Sequence, residues 1–221
     1  MSGGNKEASL KEKLKQALNS TFKVISDDFA LNENIDKSLK KSNFIELDYL
    51  NTKNDFMKAR AETDSSALKK KFSDEIIYKK NLPLNSSCKL LYSIAEKIRY
   101  ESLGCQMLKG IEKNLKDNYT KIISIKRKDQ LRNKEDVPIN EAFELYMLKK
   151  FHNLELNELT NKMLNFWEDD FDKSINEHIK FLKDNLENQS NYSSKFSEIL
   201  QKMDIFQNED NEKTEEENQN D

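Results

Sequence analysis

The chain has 221 residues, of which 35% are charged and 36% hydrophobic, and its formal net charge is −3. This length allows one or two domains with a buried core, and the near balance of charge argues against a dedicated nucleic-acid-binding protein, which usually carries a strong basic excess. Only 4 glycines and 2 prolines interrupt the chain, a composition that favours long helices. We therefore expect an all-α fold, mainly a helical bundle.

Cysteine usage and hydropathy favour the reducing cytoplasm. The 2 cysteines are too few for a disulfide framework. No N-terminal apolar run is typical of a signal peptide, and no stretch approaches the ~20 apolar residues of a membrane span. We expect a cytoplasmic protein that binds neither membrane nor nucleic acid.

In chain order, residues 1–7 are polar and are predicted to be disordered. Residues 8–26 predict an amphipathic helix flanked by lysines. Such a helix either binds a membrane surface or a partner, or packs on its own domain with a solvated outer face, and the second reading is favoured. Residues 44–49 alternate apolar and polar side chains, so a short β-hairpin or extended segment is possible near residues 40–52.

Two further helices are predicted before residue 120. The first covers residues 56–73, with Asn54 or Asp55 as its N-cap. After a break at residues 81–83, Asn85 or Ser86 caps a long amphipathic helix that continues to about residue 116.

That long helix carries the most informative motif of the chain, because charged groups lie on or beside its apolar face. Glu96 and Arg99 are three residues apart and can pair. Glu101 falls inside the apolar stripe, where a buried carboxylate needs a basic partner; the alternative is that Glu101 lies at the edge of the stripe and reaches water. Gly104 and Gly110 each cost about 1 kcal/mol against alanine within a helix, which suggests close helix approach at both.

The second half of the chain is predicted to be helical as well. Pro138 occupies a helix start, where its missing N–H is not needed. Predicted helices cover residues 122–131, 138–151, 154–167, 171–186 and 191–206. Residues 207–221 contain seven acids and one lysine, which predicts a disordered acidic tail or linker.

Several kinds of catalytic chemistry have no motif in this sequence. It contains no G-x-x-x-x-G-K-[ST] phosphate loop and no G-x-S-x-G nucleophile elbow. His152 and His178 have no partner at metal-ligand spacing and are predicted to lie on the surface. Trp167 is predicted to be a core or interface anchor rather than a cofactor platform. We expect no cofactor, no metal and no catalytic residue in this chain.

Three segments together resemble the N-terminal region of the T subunit of the aerobic cobaltochelatase, the CobT family. They are residues 14–25, residues 95–104 with the residues that follow them, and residues 136–142 with Trp167 further on. A weaker R-x-x-x-D-x-x-A-L element lies at residues 60–68. Because this element lies on the preceding helix, Arg60 is the predicted partner of Glu101. The matching positions that we take as an interaction or structural motif are Arg60, Asp64, Glu96, Arg99, Glu101, Gly104, Met107, Gly110, Asn114, Asp136, Pro138 and Trp167.

The resemblance also has departures. The proline-rich segment that the family carries before its second helix is replaced here by residues 48–53, and a family histidine is replaced by Phe72 or Ser73. The family continues after an acidic linker into an integrin-type domain, whereas this sequence ends at Asp221. We therefore expect residues 8–206 to form one helical N-terminal domain, preceded by disorder at 1–7 and followed by the acidic segment 207–221.

The resemblance implies a role in an ATP-dependent machine that inserts cobalt into a corrin ring during cobalamin biosynthesis. A large subunit binds the corrin, an AAA+ subunit hydrolyses ATP with magnesium, and the T subunit couples the two. This chain would then be a non-catalytic assembly module, with both subunits as partners and a possible homo-oligomer.

Two other hypotheses stay open at this point. One is an unrelated helical protein–protein adaptor, in which the motif is a chance charged helix. The other is an enzyme in which Glu96 and Glu101 perform acid–base chemistry. Residues five apart on a helix project about 140° apart, so these two carboxylates do not converge on one substrate.

Overall fold

The computed structural model of this protein describes residues 3–28, 52–124 and 131–203, with side chains from residue 11 onward. Helices and the turns between them account for these ranges, and none of them contains a strand. The all-α prediction is confirmed. The predicted hairpin or extended segment near residues 40–52 lies outside the described residues except for Thr52, and the acidic segment 207–221 lies outside them entirely.

The described α-helices are numbered here in chain order. They are α1 Gly3–Ser26, α2 Lys53–Phe72, α3 Glu75–Lys80, α4 Ser86–Met107, α5 Lys109–Ser124, α6 Ile139–His152, α7 Glu158–Asn165, α8 Glu168–Ile175, α9 Ile179–Asp184 and α10 Gln189–Lys202. Short 3-10 turns cover Lys134–Asp136 and Asn176–His178. No described helix has the length and apolar character needed to cross a membrane.

The chain divides into two compact units. Unit 1 comprises Met1–Lys71 and Gly104–Lys121, and unit 2 comprises Phe72–Leu103 and Ile122–Asp221. Residues 8–206, predicted as one domain, are thus distributed over both units. Most of α4 belongs to unit 2 and its last turn belongs to unit 1.

Unit 1 is held together by contacts between its helices. Leu18 of α1 packs with Ala59 of α2 in a small apolar cluster. The end of α1 is tied to the end of α2 by an ion pair between Asp27 and Lys71. Leu68 of α2 is fully buried against the last turn of α4. The predicted amphipathic helix at residues 8–26 therefore packs within its own unit.

Unit 2 is built around buried aromatic rings. Phe143 of α6 meets Phe171 of α8 edge to face at 5.5 Å and Phe196 of α10 at 6.0 Å. Tyr192 of α10 continues the cluster, with its ring 5.6 Å from that of Phe196. Rings at these distances bury large apolar areas and add favourable edge-to-face contacts. This cluster fixes α10, which also packs against α3 and α9.

The predicted helix starts are partly confirmed. The Asn85 carboxamide accepts hydrogen bonds from the amides of Ser87 and Cys88, so it is the N-cap of α4. The prediction that Asn54 or Asp55 caps α2 is wrong. Thr52 is the cap, because its hydroxyl accepts from the Asp55 amide while the Asp55 carboxylate accepts from the Thr52 amide, a reciprocal capping box.

Several predicted helix limits differ from the observed ones. α1 begins at Gly3 and includes residues 3–7, predicted to be disordered; the helix-forming residues from position 6 onward explain the extension. The long helix predicted to reach residue 116 ends at Met107, and Leu108 separates it from α5. The helices predicted at 154–167 and 171–186 are shorter, and a 3-10 turn interrupts the second one.

The helix predicted at residues 122–131 is wrong as a separate element. Its first three residues complete α5, and Leu131 is irregular, while residues 125–130 lie outside the described residues. The start of α6 after Pro138 and its end near residue 151 agree with the prediction.

Candidate functional site: a buried charge network and an exposed helix junction

Arg99 on α4 is the largest side chain that unit 2 buries completely, with a relative exposure of 0%. Its Nη1 donates to the Leu186 carbonyl at 3.0 Å and its Nη2 to the Phe72 carbonyl at 2.7 Å. Nη2 also lies 3.3 Å from the Ser73 hydroxyl, and Nε lies 3.2 Å from Glu96 Oε2. The planar guanidinium thus binds three separate segments of unit 2 at once, as its fan of donors allows.

Glu96 is the anionic partner of this guanidinium and is itself 3% exposed. Its Oε1 accepts from the Ser193 hydroxyl at 2.5 Å, and its Oε2 accepts from Gln189 Nε2 at 3.1 Å in addition to Arg99. Gln189 in turn accepts from the Asp74 amide at 2.7 Å. Both carboxylate oxygens of Glu96 are therefore satisfied by donors from α10 and α4.

This network has the arrangement of a structural ion pair. A buried ion pair survives only when further hydrogen bonds satisfy both groups, which is the arrangement around Glu96 and Arg99. Glu96 is surrounded by donors and has little contact with solvent. The predicted pairing of Glu96 with Arg99 is confirmed, and the catalytic reading of Glu96 has no support in this geometry.

The partners of the network were not predicted from the sequence. Gln189 and Ser193 lie 93 and 97 residues after Glu96 and come from a different helix. Their only local signal is that they are polar residues on the buried face of α10. The carbonyls of Phe72 and Leu186 carry no residue-specific signal, because any residue type supplies a carbonyl.

Glu101 is buried in unit 2, with 1% relative exposure. The alternative that it lies at the edge of the stripe and reaches water is therefore wrong. Its pairing with Arg60 stays a prediction. Arg60 belongs to unit 1, is exposed, and lies close enough to Asp64 to lower the pKa of that carboxyl.

In unit 1 the structure brings two of the predicted motif residues together. Asn114 Nδ2 on α5 donates to Asp64 Oδ2 on α2 at 2.7 Å. Asp64 is 2% exposed, and burial raises its pKa because the charged form is poorly solvated. The Asn114 hydrogen bond and the Arg60 charge act in the opposite direction. This contact ties α2 to α5.

The two glycines of the motif have opposite environments. A Cβ on Gly104 would lie 2.5 Å from Leu68 Cδ2 and 3.0 Å from its Cγ, so the predicted close helix approach is confirmed there. A Cβ on Gly110 would meet nothing within 4 Å, so the prediction is wrong for Gly110 among the described residues. Met107 and Leu108, just before it, are 39% and 47% exposed.

The third motif segment, residues 136–142 with Trp167, lies around the start of α6 in unit 2. The Asp136 carboxylate accepts from the Arg132 and Asn133 amides at 2.8 and 2.9 Å, and these hydrogen bonds lower its pKa. Trp167 Nε1 donates to the Val137 carbonyl at 3.1 Å, immediately before Pro138. Asp136, Pro138 and Trp167 together fix the entry into α6, which agrees with the prediction that Trp167 is an anchor.

One polar pair in unit 2 was not predicted. His152 Nε2 lies 3.1 Å from the Ser102 hydroxyl, and both residues are at least partly buried, so the surface prediction for His152 is wrong. The Ser102 hydroxyl donates to the Ile98 carbonyl at 2.7 Å, which makes it an acceptor toward the histidine. The Ser102 hydroxyl thus links α6 to the backbone of α4, which is a structural use of this pair. His178 is also partly buried, next to Glu177.

Across the described ranges, no three His, Cys, Asp or Glu side chains are grouped so that they could hold a metal ion. In the described structure Cys88 and Cys105 are not joined by a disulfide.

The chain was compared with protein families, with curated proteins and with solved structures. Residues 8–221 match the family described as "Cobalamin biosynthesis protein CobT". No curated protein and no solved structure matched. Because the family match covers nearly the whole sequence, the protein belongs to the CobT family and has a role in cobalamin biosynthesis.

Proposed function

We propose that this chain is the N-terminal module of the T subunit of an ATP-dependent aerobic cobaltochelatase. In this function it assembles with an AAA+ ATPase subunit and a large corrin-binding subunit, and it assists the insertion of cobalt into the corrin ring. Cobalt is the substrate of the complex, while ATP and magnesium are used by the ATPase partner. We place this assembly in the cytoplasm.

The observation that carries this proposal is the family match over residues 8–221. The motif residues that resemble the T subunit are used in the described structure to join helices. Arg99 and Glu96 connect α4 to α10 and to the segments after α2 and α9, and Asp64 connects α2 to α5. Because the polar groups of these side chains are already bonded within the chain, they support a scaffold role rather than a catalytic one.

The chemistry that ATP hydrolysis requires has to come from another subunit. Its usual elements are a phosphate-binding loop, whose backbone amides and lysine hold the phosphates, and acidic residues that hold magnesium. The sequence has no such loop. This chain would therefore receive the conformational change of the ATPase and transmit it through its packed helices, because rigid elements move as bodies.

The rigidity of unit 2 suits such a role. An ion pair buried in a helix core holds one geometry, since any displacement leaves a charge without its partner. The Arg99 network, with the aromatic cluster around Phe143, gives unit 2 a fixed internal arrangement. A helical adaptor of unrelated function would also need a rigid scaffold, so the test must involve the predicted partners.

The test is reconstitution with the ATPase and large subunits from the same genome. We expect the chain alone to hydrolyse no ATP and to insert no cobalt. With the ATPase subunit we expect co-elution that depends on nucleotide, and with both partners we expect cobalt insertion that depends on this chain.

A control is an unrelated helical protein of similar size and charge, which should neither co-elute nor support insertion. Failure of the chain to bind either partner, under conditions where circular dichroism shows that it is folded, would contradict the proposal. Nucleotide turnover by the pure chain, abolished by a point substitution within it, would also contradict it.

A further inference from the structure

The junction between α4 and α5 exposes apolar side chains that unit 1 does not cover. Met107 ends α4 with 39% exposure, and Leu108 follows it with 47%. They are consecutive in the chain, at the point where α4 ends and α5 begins. Exposed apolar side chains next to each other in the chain offer a small apolar contact area to a partner.

A basic ridge continues from this apolar surface along α5. Lys109, Lys113 and Lys116 are spaced i, i+4 and i+7, which places them on one face of the helix, and all three are exposed. Lys109 is 3.0 Å from Glu112, yet its side chain is 92% exposed. Within the described residues, Lys113 and Lys116 form no ion pair. The ridge therefore offers three positive charges to an outside ligand.

Gly110 lies beside this ridge and gives it a second unusual property. Glycine reduces helix stability relative to alanine, and apart from its chain neighbours and the backbone of its own helix no described atom lies within 4 Å of where a Cβ would be. The internal packing that explains Gly104 is absent at Gly110. A glycine on an exposed helical face allows the backbone of a ligand to approach closely, between the apolar surface and the lysines.

The chemistry that fits this surface is an apolar pair followed by carboxylates. The chain itself contains such a segment. Residues 204–221 carry Ile205 and Phe206 directly after Asp204, and they include eight acidic residues and one lysine. Apolar side chains would cover Met107 and Leu108, while the acidic run would follow the lysines along α5.

We propose that the junction surface, defined as Met107, Leu108, Lys109, Gly110, Lys113 and Lys116, binds residues 204–221 of a second copy of the chain. Each copy carries both the surface and the acidic segment. Because these are two different surfaces, the contact is heterologous and joins copies head to tail. This inference does not depend on the proposed function.

The first test measures the average mass of the full chain by sedimentation at low ionic strength. We expect the mass to rise with protein concentration and to fall when salt is added, because salt screens exposed charges. The ridge variant K109E/K113E/K116E should associate more weakly by at least about tenfold, since three exposed ion pairs are removed. A full chain that stays monomeric at all concentrations overturns the proposal, including the case in which the segment folds back on its own copy.

A matched control distinguishes the effect of losing the ridge lysines from the effect of a general change in net charge. The variant K162E/K173E/K180E changes the charge by the same amount through exposed lysines on α7, α8 and α9. It should associate like the native chain. Equal weakening by both variants would overturn the specific site.

The second test uses complementation. A tail variant, E209Q/D210N/E212Q/E215Q/E216Q/E217Q, keeps the ridge, while the ridge variant keeps the acidic segment. Neither should self-associate, but a mixture should form a pair, because one ridge and one acidic segment are still available. A mixture that stays monomeric, while the native chain associates, overturns the head-to-tail contact.

The third test uses Gly110→Gln. The glutamine side chain has room within unit 1, and it is a good helix former. The variant should therefore unfold at the same or a higher denaturant concentration, yet associate several-fold more weakly, with Gly110→Ala as the milder comparison. Native association in the glutamine variant would overturn the role assigned to Gly110.

Discussion

The segment around Arg99 and the segment after Gly104 belong to the same sequence motif, yet they have opposite surroundings. Glu96 and Arg99 are almost fully buried and bonded to three other segments of unit 2. Met107, Leu108 and Gly110 are exposed in unit 1. A single motif on a predicted single helix thus contains a folding element and a surface element. Motif membership alone therefore does not tell which residues bind a partner.

The two segments differ in what the removal of a side chain does to the groups around it. Removing a group from the buried network leaves charges and carbonyls without partners in a medium that solvates them poorly. Removing an exposed side chain at the junction exposes its neighbours to water, which solvates them well. We therefore expect substitutions in the buried network to lower the free energy of unfolding much more than substitutions at the junction. Substitutions at the junction should instead affect partner binding more than stability.

The largest effect is expected for Arg99→Met. This change leaves Glu96 buried without its cation and the Phe72 and Leu186 carbonyls without their donor. The free energy of unfolding, measured by urea titration, should fall by about 3–5 kcal/mol.

The control for this prediction is Glu96→Gln together with the double variant Glu96→Gln/Arg99→Met. The double variant should lose less than the sum of the two single changes, because the second removal no longer strands a charge. If Arg99→Met lost only about 0–1 kcal/mol of unfolding free energy, as is usual for an exposed pair, a structural role for Arg99 would be contradicted.

A smaller effect is expected at the two glycines, which allow the same substitution in both environments. In Gly104→Ala the new methyl group is forced against the fully buried Leu68, and overpacking of this kind costs about 1–3 kcal/mol. This exceeds the gain of about 1 kcal/mol in helix propensity, so the variant should be destabilised.

Gly110→Ala has no such contact and should keep the propensity gain, so its free energy of unfolding should rise by up to about 1 kcal/mol. In the same urea titration, Gly104→Ala should therefore unfold at a lower urea concentration than the native chain and Gly110→Ala at a higher one. If Gly104→Ala were as stable as Gly110→Ala, the side chain of Leu68 would have moved without cost, and close packing would not explain Gly104.

Local sequence signals predicted the features of this fold that depend on neighbouring residues. Asn85 and Pro138 mark helix starts because their chemistry acts within one helical turn. The break at Leu108 has no such signal, since leucine is a good helix former. The partners of Arg99 are up to 87 residues away, and backbone carbonyls look the same at every position. What could not be predicted is therefore what tertiary packing decides.

The smallest effect concerns pH and the carboxyl group of Asp64 in unit 1. Burial raises its pKa in the folded state, so folding favours the protonated form. The stabilising contribution of Asp64 is therefore complete below its unfolded pKa, near 4, and is lost as the pH rises through the folded pKa. Asp64→Asn does not titrate and keeps an oxygen that can accept from Asn114.

The native chain should thus lose stability relative to Asp64→Asn as the pH is raised from the acid range through the folded pKa of Asp64. Urea titrations of both proteins across this range measure the difference. Asp117→Asn, at an exposed position on α5, is the control and should run parallel to the native chain. Asn114→Ala should steepen the pH dependence, because the hydrogen bond that it removes opposes the rise in the pKa of Asp64. Parallel curves for the native chain and Asp64→Asn would mean that Asp64 titrates as a solvated carboxyl, and unit 1 would then have no buried charge to compare with Glu96.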